Sequence, residues 1–196
     1  MEEEDSGFEP PALSPLSPGG QARFRRGALI HKLLQTLPDL PQERREASAR
    51  RYLESQVDLD DTQREDIVSE TLAVLNDETF APIFAPGSRA EVAVTGRAPE
   101  LPDGVTVNGQ IDRLVVTDHE VLIIDYKTNR PPPTQVEDVA PVYLGQMAAY
   151  RALLRVLHPD RPVRCALLWT DGPRLMELPA EALDIALKRA SRPQRA

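Results

Sequence analysis

Residues 109–129 read GQIDRLVVTDHEVLIIDYKTN. The longer stretch VTVNGQIDRLVVT alternates apolar and polar residues, as a half-buried strand does. Val121–Ile124 is wholly apolar, as expected of a central strand covered on both faces. The turn near Thr117–Glu120 is short, so the two strands should pair antiparallel. The second strand finishes on Asp125, Tyr126 and Lys127. Side chains two apart on a strand share a face, so Asp125 and Lys127 project together and Tyr126 projects the other way. The pairing puts Asp112 near the same end of the ladder as Asp125.

Two carboxylates and an ammonium at one strand end suit a hard divalent cation. Mg²⁺ takes one or two carboxylates and leaves its other positions to water and phosphate oxygens. A lysine there can hold or deprotonate an attacking water, or stabilise charge on a phosphate. A strand that leaves the core on an i, i+2 ion pair yields the same tripeptide, so the rest of the chain has to decide.

Working outward, residues 1–20 contain EPPALSPLSPGG, too rich in Pro, Ser and Gly to pack, and read as a linker or tail. Residues 191–196 read as a second tail. Residues 21–190 form one domain, with a helical layer over 21–80 and an α/β core over 88–190. In ARFRRGALIHKLLQTL, Ile30, Leu33, Leu34 and Leu37 fall on one helical face. Pro41 can open the next helix, QERREASARRYLESQ. Asp60 or Asp61 can cap a third, with Ile67, Leu72 and Leu75 inward. After FAPIFAPGS the period changes to two, and AEVAVTGRA is the first strand. APVYLGQMAAYRALLRVLHP is an amphipathic helix with Tyr143, Met147, Tyr150, Leu154 and Leu157 on its apolar stripe. VRCALLWT and RLMELP are further strands, the second at an edge, and AEALDIALKRA is a closing helix. The order predicts an α/β fold with a mixed sheet.

The chain has 196 residues, 41% hydrophobic and 28% charged, which suits one soluble domain with a real core. Its apolar runs fall well short of the ~20 residues that cross a bilayer. The acidic start MEEEDSGFEPP does not read as a secretory signal. The single cysteine, Cys165, allows no internal disulfide and no iron–sulfur cluster, and reads as a buried thiol. These features predict a cytoplasmic protein. A net charge of −8 argues against unaided capture of nucleic acid. The acids of the tail and of residues 54–78 lie outside the strand-end motif, and a cation site needs carboxylates of its own. The chain has no G-x-x-x-x-G-K-[ST], G-x-S-x-G or G-x-G-x-x-G motif, so the loops of those ATP, hydrolase and dinucleotide sites are missing.

GQIDRL, IIDYKTN and QMAAY, in that order, resemble the RecB-like nucleases of the PD-(D/E)XK superfamily. The likeness is strongest to the C-terminal nuclease domain of AddA-type helicase–nucleases, which process double-strand breaks in bacteria. RRGALIHKLLQTLP resembles the helix before that nuclease core, and RCALLWTDGPRLMEL resembles its closing strands. The resemblance spans about residues 21–190. It implies a restriction-endonuclease-like core with a mixed central sheet flanked by helices, plus the N-terminal helical layer. It also implies Mg²⁺-dependent, exonuclease-type hydrolysis of DNA, with Mn²⁺ able to substitute.

Carried over by position, Asp112, Asp125, His31 and the carbonyl of Tyr126 would hold the metal. Lys127 would be the catalytic lysine, and Gln146 and Tyr150, one helical turn apart, would line the site. Glu91 falls where related nucleases often place an acid. A lone histidine on an apolar helix face is often only a satisfied boundary residue. Gly27, one turn before His31, favours the ligand reading because glycine allows close backbone approach. The implied substrate is single-stranded DNA fed by a helicase motor, either part of the same protein or a partner of AddB type, in repair and recombination. The alternatives are a standalone nuclease of another repair or defence pathway, or a non-catalytic docking module with a nuclease fold.

Overall fold

Apolar residues recur every three or four positions up to residue 75 and every two in the strands that begin at residue 89, and each pattern builds a different layer. The computed structural model describes residues 20–102 and 104–190. Three helices come first: α1 (Gly20–Thr36), α2 (Gln42–Glu54) and α3 (Asp61–Leu75). Three strands follow, β1 (Arg89–Gly96), β2 (Val107–Val116) and β3 (Val121–Lys127), then α4 (Pro141–Leu157). Strands β4 (Val163–Trp169) and β5 (Arg174–Leu178) and helix α5 (Ala180–Ala190) complete the chain.

The sheet runs in order β1-β2-β3-β4-β5. Only β3 and β4 are parallel, with α4 as the crossover between them. The sheet is therefore mixed and flanked by helices, the α/β fold expected from the pattern. β3 lies at its centre and feeds both cores. Val121 and Ile123 pack with Met147, Leu154 and Leu183 under α4 and α5. Ile124 and Tyr126 pack with Ile30, Leu34, Leu53 and Ile67 under the first three helices. Burial on both faces explains why β3 is uniformly apolar until its last three residues.

Local signals set the helix limits. Asp60 caps α3 by accepting from Gln63 N–H at 2.8 Å, and the Gln63 side chain accepts from Asp60 N–H at 2.9 Å. Such a box stabilises a helix start by on the order of 1 kcal/mol. Pro41 precedes α2 as its cap rather than opening it. α1 begins at Gly20, one residue inside the expected linker. The rest of that linker, and the expected tail at 191–196, lie outside the described residues. One core assignment needs correction: Leu157 is 67% exposed. It is the last residue of α4, and Leu153, one turn earlier, is buried instead.

The packing of α4 on β2 depends on Gly109. A Cβ there would lie 2.8 Å from Cε1 and 2.9 Å from Cζ of the Tyr150 ring. That ring is buried and cannot swing aside. Gly109→Ala should destabilise the fold by about 1–3 kcal/mol through overpacking. Chemical denaturation checks this, and pairing the change with Tyr150→Ala should recover much of the overpacking loss by making room for the new methyl.

Candidate functional site

Helix α1 reaches the end of β3 because Gly27 carries no side chain. A Cβ at Gly27 would lie 2.9 Å from Thr128 Oγ1, just beyond the strand. One turn on, His31 places Nδ1 3.5 Å from Asp112 Oδ1. The other Asp112 oxygen accepts from the backbone N–H of Tyr126 at 2.7 Å. β2 and β3 pair as far as Arg113 opposite Ile124, so Asp112 and Asp125 sit together one step further on. This is the juxtaposition that the strand pattern predicted.

Glu91 completes a compact donor set. One ligand atom each from His31, Glu91 and Asp112 lies within 4.8 Å of the others. Glu91 sits in β1 with φ of 53°, left-handed for a non-glycine residue. Such strain costs on the order of 1–3 kcal/mol and concentrates at functional sites. Its neighbours Ala90 and Val92 pair with Arg113 and Ile111, so Glu91 stands beside Asp112 in the ladder.

Asp125 is almost fully buried, and its Oδ2 lies against the Lys127 ammonium. The ammonium offsets the charge of the buried carboxylate, and the pair is held together at the strand end. Lys127 Nζ also stands 3.9 Å from the centroid of the Tyr143 ring, a cation–π contact that helps fix the amine. Tyr143 O–H donates to Asn129 Oδ1 at 3.3 Å. Tyr143 thus faces the site, whereas its helical spacing marked it only as core.

Tyr126 and Arg113 hold this arrangement from behind. The Tyr126 ring meets the His31 imidazole edge to face, with centroids 5.5 Å apart. Its hydroxyl accepts from Arg113 Nε at 3.1 Å. Arg113 is buried, and it also donates to the Leu34 carbonyl of α1 at 2.8 Å and to Ser88 Oγ at 3.2 Å. Its guanidinium stacks 5.0 Å above Phe84. One cation therefore ties α1, β2 and β3 together around the donor set. A charged residue at an apolar strand position, as in I-D-R-L, is the sequence signal for such a residue.

Gln146 and Tyr150 lie one layer further back. The Tyr150 hydroxyl accepts from Gln110 N–H and from the Gln146 amide, each at 3.2 Å. Gln110 lines the cleft, and the Gln146–Tyr150 pair supports it from α4. The cleft itself has a volume of about 730 Å³ and includes His31, Glu91, Asp112, Lys127 and Tyr143 on its walls.

Burial and neighbouring charges both act on the ionisable groups of the site. Burial raises the pKa of Asp125, and the nearby Asp112 raises it further against the opposing pull of Lys127. Glu91 is raised by burial and by Asp112. For His31 burial favours the neutral ring, yet the Asp112 hydrogen bond and the Asp112 and Asp125 charges outweigh it and raise the pKa. An imidazole nitrogen and carboxylate oxygens are common donors to divalent cations, so the donor set fits a divalent metal ion.

The acids of α3 are occupied elsewhere. Glu70 is buried and pairs with both Arg26 and Arg130, and it accepts from the Thr170 hydroxyl. Asp66 pairs with the same two arginines, each at 3.1 Å. This network pins the segment after β3 against α1 and α3.

A titration of the chain with Mn²⁺, followed by calorimetry, separates the two acidic groups. His31→Ala and Asp112→Asn should each weaken binding by at least about 10–100-fold, the loss seen even for outer-sphere partners. Asp66→Asn should leave the affinity unchanged.

Comparison with known proteins follows the same line. A family model described as the PD-(D/E)XK nuclease superfamily matches residues 7–190. Among curated proteins none matches. A solved structure described as "Crystal structure of SSO0001" aligns with 15% identity and a TM-score of 0.37, covering 85% of this chain and 76% of that one. With a mixed sheet flanked by helices and a family match over nearly its whole length, the chain belongs to the PD-(D/E)XK nuclease superfamily.

Proposed function

We propose that this chain hydrolyses DNA phosphodiesters, exonuclease-fashion, with a divalent cation held in the cleft between α1 and the ends of β2 and β3. The observation that carries the reading is the His31–Glu91–Asp112 donor set standing beside the Asp125–Lys127 pair. A bound Mg²⁺ or Mn²⁺ would supply charge neutralisation on the phosphate and a more acidic water. His31, Asp112 and Glu91 would hold it, with Asp125 and the Tyr126 carbonyl as the further oxygens that the family likeness suggests. Asp125 also keeps the Lys127 ammonium aimed along the strand end. Lys127 would orient the attacking water and donate to a phosphate oxygen as negative charge builds there. Gln146 and Tyr150 act through Gln110 by fixing the cleft wall.

The preferred substrate in this reading is single-stranded DNA supplied by a helicase motor, as in the AddA-type enzymes of bacterial double-strand break repair and recombination. Supply by a motor reconciles the net charge of −8 with a polyanionic substrate. A standalone nuclease of the same superfamily is the alternative, and the two differ in what the isolated chain can do.

End-labelled single-stranded DNA, incubated with the chain and Mg²⁺, provides the test. Cleavage should disappear on chelation with EDTA and fall at least about 100-fold in Asp125→Asn and Lys127→Met, the scale of losing one transition-state donor. Equal cutting by all three proteins would remove the site from this role. Robust cutting without any partner would favour the standalone enzyme, and cutting only after adding a helicase would favour the motor-fed one.

A further inference from the structure

The cleft has a feature that cation binding does not use. Phe24 lies on its wall and is 67% exposed. A single exposed apolar residue usually means nothing. This one is an aromatic ring, and it stands on the same α1 face as the candidate metal ligand. Residues 24, 28, 31 and 35 follow one another by four, three and four, the spacing of a single helical stripe. All four line the cleft, as does Lys32 beside them. Seven residues separate Phe24 from His31, about 10.5 Å along the axis at the rise of an α-helix. Phe24 therefore flanks the donor set at one end of the cleft, while Lys32 and Gln35 flank it at the other. The Lys32 ammonium is held there by Gln35 Oε1 at 2.9 Å.

A chain of net charge −8 cannot gain affinity for DNA from its overall field. Base stacking on an aromatic face needs no net charge and tolerates any sequence. It does need an unpaired base, because bases within a duplex already stack on each other. From this combination we infer that Phe24 is a nucleobase subsite of the cleft. A base one or two nucleotides to one side of the scissile phosphate stacks on its ring, and a phosphate on the other side meets Lys32. The strand then runs along α1, and the subsite favours single-stranded over paired DNA. This rests on the nuclease reading given above.

The test uses the full chain and a short labelled oligodeoxynucleotide carrying one abasic residue, moved stepwise along the strand. Binding is measured by fluorescence anisotropy with Mg²⁺ in a Lys127→Ala background, which suppresses cutting. With Phe24 present, one abasic position should weaken binding about ten-fold, within the range for loss of one stacked base. Phe24→Ala should weaken binding of the intact strand by a similar factor and erase the effect of that position, while Phe24→Trp should restore both. Because Phe24 is largely exposed, thermal melting of the variants should match the parent. A flat abasic profile, or equal binding by the Phe24 and Phe24→Ala chains, overturns the subsite. Cleavage by the chain with Lys127 intact is followed in parallel. If it cuts with Mg²⁺ while Phe24→Ala keeps the same KM, only the subsite fails. If it cuts neither alone nor with a helicase added, the nuclease reading fails and the subsite with it.

Discussion

The contact on which the site depends is the buried guanidinium of Arg113. It joins the Leu34 carbonyl at 2.8 Å to the Tyr126 hydroxyl at 3.1 Å, and so fixes a helix to a strand that lies far from it in sequence. Burying a cation is costly unless its donors are matched, and here the helix carbonyl, a phenol, a serine hydroxyl and an aromatic face match them. Tyr126 passes the constraint on. Its ring steadies the His31 imidazole, and its backbone N–H holds Asp112. Both groups are thereby oriented before any ligand arrives, which is what a precise metal site requires.

Charge is sorted in the same spirit. Asp66 and Glu70 on α3 neutralise Arg26 and Arg130, so they bind the segment after β3 and leave no free acidic field there. Exposed acids elsewhere pair with arginine too, as Glu65 does with Arg50 and Glu177 with Arg164. At the strand ends burial, with the charge of Asp112, raises the pKa of Asp125 and Glu91, and Asp112 and Asp125 raise that of His31 against its burial. The superfamily to which the chain belongs works with divalent metals, and a local deficit of positive charge is the physical counterpart of that dependence.

Much of this was legible in the sequence, because it rests on periodicity. The strands, the crossover helix and the shared face of Asp125 and Lys127 follow from spacings of two and of three or four. The short turn after Thr117 sets the β2–β3 register, and that register brings Asp112 beside Asp125. What the sequence left open depends on backbone detail and on contacts between distant segments. The left-handed φ of Glu91 leaves no trace in AEVAV, so its alignment with His31 and Asp112 rested on family likeness alone. Tyr143 reads as core at helical spacing, yet the end of α4 lies at the cleft and turns its ring under Lys127. Gln146 and Tyr150 were expected on the site wall. They support it through Gln110, because the Gly109 backbone lets the Tyr150 ring pack against β2. Leu157 keeps the helical spacing but falls beyond the edge of what α4 covers.

Anomalous scattering from crystals of the chain grown with Mn²⁺ tests the account most directly, since it locates the ion without relying on activity. A peak is expected within coordination distance of His31 and Asp112, in the cleft shared with Lys127. A strongest peak at another acidic group, such as Asp66–Glu70, or no peak in the cleft at saturating Mn²⁺, would contradict it.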